Sequence, residues 1–77
     1  MKSRLVKCFA ATFPALSPEE IERANVNSVG SWDSIATLTL VGLIEEEFTI
    51  FIDPRDREEL TSFDLVLEHV RSQKGVS

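Results

Sequence analysis

The sequence predicts an all-α fold, a small four-helix bundle of three main helices plus one short third helix. Two observations carry this. Apolar residues recur at steps of three and four in three separate segments, the period of a helix with one buried face. Helix start signals precede the later segments, while strand-like alternation is confined to Thr49–Ile52.

The first helix is expected over about Ser3 to Thr12. Leu5, Phe9 and Phe13 fall at i, i+4 and i+8, with Val6 and Cys8 beside them. Pro14 ends it, because the residue before a proline is pushed out of helical geometry. In the long connection that follows, Ser17-Pro18-Glu19-Glu20 reads as a local helical start, with Ser17 as N-cap and Glu20 completing a capping box. That turn sends Ile21 toward the core, with Leu16 and Val26 as further anchors. Asn25, Asn27, Ser28 and Gly30 mark irregular backbone before the next helix.

The second main helix is expected over Ser34 to Phe48. Ile35, Leu38, Val41, Ile44 and Phe48 form its apolar stripe, and Leu40 and Leu43 widen it, which predicts the most buried helix of the fold. A short extended stretch, Thr49–Ile52, leads to Asp53-Pro54, the start of the short third helix, which runs to about Leu60. The last helix is expected from Thr61, with Thr61 as cap and Asp64 closing a capping box. Phe63, Val66, Leu67 and Val70 face inward, Arg71 and Lys74 complement the dipole at the end, and Gly75 follows.

At 77 residues the chain suits one domain, with an ordered core from about residue 4 to about residue 71. One cysteine makes no internal disulfide, and no Cys/His cluster offers a metal site, so stability rests on a 43% hydrophobic composition. The apolar run Leu38–Ile44 is too short to span a bilayer, and no secretory leader pattern is present, so a cytoplasmic protein without membrane insertion is expected. The net charge is −5, and eight acidic residues stand against two arginines from Glu45 to Asp64. A phosphate backbone would be repelled by such a surface, so nucleic acid is not an expected partner, whereas basic patches on proteins are.

Catalytic residues are not apparent. His69 is the only histidine and sits far along the chain from Ser34, so no activated nucleophile can be assembled. Cys8 lies on the apolar side of its helix and reads as a core residue. The three glycines make no phosphate loop. The chain is not expected to be an enzyme.

The most telling segment is Trp32-Asp33-Ser34-Ile35, opening an apolar helix that ends in Glu45-Glu46-Glu47-Phe48. Asp-Ser alone is common at helix starts, where both residues cap. A serine hydroxyl there also lies among unpaired backbone N–H groups, a favourable place for a phosphate ester. In the full pattern, Asp-Ser-(Leu/Ile), apolar turns, then Glu-Glu-Glu-Phe, the segment resembles the acyl carrier protein family. The likeness extends from about Leu5 to Val70, and its specific part is Trp32 to Phe48.

The resemblance implies that Ser34 carries a covalent 4′-phosphopantetheine arm donated by coenzyme A, whose thiol holds an acyl group as a thioester. It implies as partners a phosphopantetheinyl transferase and acyl-loading and acyl-transferring enzymes, docking near Asp33, Ile35 and the acidic face at Glu45 and Glu46. A monomer is expected. The sequence departs from the family pattern where Gly30 stands four residues before Ser34 rather than three, and where Ala36 and Thr39 replace acidic residues. These departures point toward a stand-alone carrier for a specialised pathway. A peptidyl or aminoacyl carrier, and an unmodified acidic interaction module in which Asp33 and Ser34 only cap a helix, remain as alternatives.

Two further residues stand out. Trp32 is expected to pack on the long loop and fix the angle at which the chain enters the helix, or else to be a half-exposed aromatic at a docking surface. Gly42 is either a tolerated solvent-facing glycine or a position whose missing side chain leaves room beside Leu38 and Val41 for an acyl chain or a partner's close approach.

Overall fold

A computed structural model describes residues 1–74, and the expected Gly75 stop lies outside them. The chain forms α1 (Lys2–Thr12), α2 (Pro18–Glu22), α3 (Ser34–Phe48), a 3₁₀ helix (Pro54–Glu59) and α4 (Phe63–Lys74). The all-α bundle is as the periodicity predicts. The local start at Ser17 develops into a helix of its own, because the capping box forms in full. Ser17 Oγ accepts from the Glu20 N–H at 3.2 Å, and Glu20 Oε1 accepts from the Ser17 N–H at 2.9 Å. The Ser17 N–H first, and then the Ser17 side chain beside the carboxylate, hold the Glu20 carboxyl below its ordinary pKa.

The core is aromatic at its centre. Phe9 is fully buried, with its ring 5.1 Å from Phe63 and 5.4 Å from Trp32, both edge-on. Leu5, Ile21, Leu40, Ile44, Phe48, Ile52, Val66 and Val70 close around it, and among the described residues no polar or charged residue is buried. Helix α1 packs chiefly on α3, and α2 on α1 and α4. Arg4 binds that first pair at the surface, with its guanidinium 4.8 Å above the Phe48 ring and its Nε donating to Glu47 at 2.7 Å. Cys8 is buried as expected, and burial raises its pKa, with Glu47 adding and Arg4 opposing.

Two expectations are corrected. The apolar stripe of α3 does not face inward along its length: Ile35 is 73% and Leu38 54% exposed, and the buried face begins at Leu40. Trp32, one residue before the cap, fills the core space that the first turn of the helix leaves. Ser62, not Thr61, caps α4, with its Oγ accepting from the Leu65 N–H at 3.1 Å. Thr61 is held instead by its carbonyl, which accepts from the Val26 N–H at 2.9 Å beside an antiparallel Asn25–Ser62 bridge. Asp64 therefore lies one position too early to complete a capping box. Residues 50–52 run outside any helix, without a paired strand, and of Thr49–Ile52 Ile52 alone is fully buried. Arg71 and Lys74 lie in the last turn of α4 as expected, and Lys74 Nζ also donates to the Phe48 carbonyl at 3.1 Å.

Candidate functional site

The loop before α3 is prepared by Asn25, whose side-chain oxygen accepts from the N–H groups of Asn27 and Ser28 at 2.8 and 2.9 Å. This turn brings the backbone round so that Trp32 drops onto Phe9 and Phe13, its ring 5.7 Å from the latter. Trp32 is 5% exposed, which rules out a half-exposed aromatic, and where the sequence led us to expect packing on the long loop, its ring packs on Phe9 of α1 and on Phe13 just past that helix. Its indole N–H donates to Thr37 Oγ1 at 3.0 Å, and the Thr37 hydroxyl donates to the Asp33 carbonyl at 3.0 Å. A chain of hydrogen bonds thus runs from the core to the helix start.

Asp33 is the cap. Its Oδ1 accepts from the Ala36 N–H at 2.8 Å in extended backbone geometry, the standard arrangement for the residue before a helix. Ser34 is consequently the first helical residue, exposed and relieved of any capping duty. Its N–H and that of Ile35 have no hydrogen-bond partner among the described residues. Those two donors and the aligned peptide dipoles favour negative charge at the Ser34 oxygen.

Beside Ser34 lies an open, mostly apolar groove of about 330 Å³, lined by Ser34, Thr37, Leu38, Arg57 and Glu58. Its far wall is the 3₁₀ helix. That wall is set by Asp53, which accepts from the Arg55 N–H at 2.9 Å and pairs with the Arg55 guanidinium at 3.2 Å. The Arg55 side chain and then its N–H hold the Asp53 carboxyl below the ordinary aspartate range, with a smaller effect of the Arg57 charge. Neither the groove nor Arg57 was foreseen from the sequence, since no local pattern says which turn of α3 the 3₁₀ helix will face.

The acidic run at the end of α3 is divided among three tasks. Glu45 turns back and accepts from the Ile52 N–H at 2.8 Å, and Glu47 is engaged by Arg4. Glu46 is exposed and free of ion pairs among the described residues. It lies about three turns from Ser34 along the helix. Gly42 faces open space, with nothing near the position a Cβ would take. The glycine is solvent-facing, with the space beside it open. His69 is half-buried on α4, and no hydrogen bond joins it to Ser34.

Among the described residues, no group of three or more His, Cys, Asp and Glu is placed to hold a metal ion, and no helix is long and apolar enough to cross a membrane. Comparison with known protein families finds no matching family model, and comparison with curated proteins finds no match.

Proposed function

We propose that this domain is an acyl carrier in which Ser34 is the attachment residue for 4′-phosphopantetheine. The observation that carries the reading is the exposed Ser34 hydroxyl at the first position of α3, free because Asp33 does the capping, and opening onto an apolar groove. The motif resemblance from Trp32 to Phe48 supports the same assignment. The arm, when bound, supplies a terminal thiol that holds an acyl group as a thioester.

The residues present fit such a group. The unpaired N–H groups of Ser34 and Ile35 favour a phosphate on Ser34 Oγ. Leu38 offers an apolar wall next to it. Trp32, through Thr37, keeps the helix start rigid, so the attachment oxygen is presented in one place to every partner enzyme. Ile35 and Leu38 are solvent-facing leucine-sized side chains flanking Ser34, suited to desolvation by a docking enzyme. Asp33 and Glu46 supply negative charge around them, suited to a basic partner surface. Glu45, expected as part of that face, is half withdrawn from it by its bond to Ile52.

The test is intact mass after incubation with coenzyme A and a broad-specificity phosphopantetheinyl transferase. One phosphopantetheine should be gained by the parent protein and none by Ser34→Ala. Gain by the variant, or no gain by the folded parent, overturns the reading.

A further inference from the structure

The groove beside Ser34 holds one cation whose hydrogen-bonding capacity is unused. Arg57 Nε is shielded from water and has no hydrogen-bond partner within the described residues. A buried donor left unmatched is costly, and guanidinium groups are normally matched by carboxylates or phosphates. Asp53, on which the Arg57 charge acts weakly, is committed to Arg55. Glu58 shares the groove but is exposed, so its charge is weakened by water. Arg57 and Ser34 line the same small groove, one from the 3₁₀ helix and one from α3.

We propose that Arg57 is a positioning residue that pairs with the phosphodiester on Ser34 Oγ, which rests on the carrier reading. The guanidinium gives the phosphate a second set of donors besides the N–H groups of Ser34 and Ile35. The phosphate in turn gives the guanidinium an anionic partner, which no ion pair within the described residues supplies. This pairing draws the arm's first atoms across the groove along Leu38 rather than letting them swing into solvent. It also bridges α3 to the 3₁₀ helix, so attachment stabilises the wall of its own groove.

The experiment compares the apo protein with the holo protein made from coenzyme A, carrying no acyl group, for the parent, Arg57→Lys and Arg57→Gln. Two readouts are taken: the difference in Tm between holo and apo, and the Arg57 Nε–Hε resonance in ¹⁵N–¹H spectra of the parent. Loading should raise the parent's Tm, and Arg57→Gln should abolish that rise, with Arg57→Lys retaining part of it because the charge remains. The Nε–Hε resonance should shift on loading. Taking holo minus apo within each variant removes any effect of the substitution on the apo fold. Full loading with the same Tm difference in parent and Arg57→Gln, or with an unmoved Nε–Hε resonance, overturns the role of Arg57 and leaves the carrier reading intact. Failure of the parent to load overturns both.

Discussion

Trp32 donates its indole N–H to the hydroxyl of Thr37 across 3.0 Å, tying the loop to the first turns of the helix that it feeds. The two residues occupy the positions on either side of a helix start where an apolar staple is common. Here a hydrogen bond replaces the apolar contact, and the ring spends its apolar surface on Phe9 and Phe13 instead. One side chain therefore secures both the core and the placement of Ser34.

Removing the acceptor should expose this coupling. Thr37→Val leaves the buried indole N–H without a partner, at a cost of about 1–3 kcal/mol. Thr37→Ser keeps the hydroxyl and should cost much less. Trp32→Ala removes the packing as well and should cost about 3–5 kcal/mol, a large part of the stability of so small a domain. Urea denaturation at neutral pH measures all three, and a Thr37→Val protein as stable as the parent would refute the coupling.

Capping and attachment are assigned to neighbouring residues, and they should separate. Asp33→Ala should lower stability by about 0.5–2 kcal/mol, while Ser34→Ala, which loses no capping bond, should stay close to the parent. Only Ser34→Ala should abolish phosphopantetheine attachment outright. Thermal melts and intact mass on the same samples check both halves, and modification at Ser28 or Ser31 in the Ser34 variant would contradict the assignment.

Two surface positions carry residues that their backbone does not favour. Gly42 lies mid-helix with open space around it, so Gly42→Ala should stabilise by about 0.5–1 kcal/mol. Thr49 ends α3 in the left-handed region at φ 54°, uncomfortable for a β-branched residue, so Thr49→Gly should stabilise by about 1 kcal/mol. Gly42→Leu should leave the hydrolysis rate of a long-chain thioester unchanged. Faster hydrolysis would mean that position 42 borders the acyl chain after all.

The 3₁₀ helix should loosen in acid. Asp53 has a lowered pKa in the folded protein because of its bonds to Arg55, so its contribution to stability is complete above its unfolded value of about 3.9. That contribution disappears as pH falls through the lower folded value. The protection factor of the Leu60 amide, which donates to the Arg57 carbonyl at 3.1 Å, should decline over that range. In Asp53→Asn it should be lower at neutral pH and flat through the same range. An equally steep decline in the variant would assign the acid response to another group.

The sequence by itself determined the helices and the capping box at Ser17, because their spacing and capping are local and each turn sees only neighbours a few residues away. The exposed Ser34 at a helix start was legible for the same reason. Tertiary packing decided what depends on distant partners. Trp32 fills the space beside Phe9 and Phe13, and Ile35 and Leu38 face outward although their period matches a buried stripe. Thr61 is drawn into pairing with Val26, which passes the cap of α4 to Ser62. Arg57 meets Ser34 across a groove only because Asp53 and Arg55 fix the 3₁₀ helix there, and twenty-odd residues of intervening chain carry no local signal of that meeting. Periodicity records which residues share a face of one helix; only the packed bundle settles which face is covered.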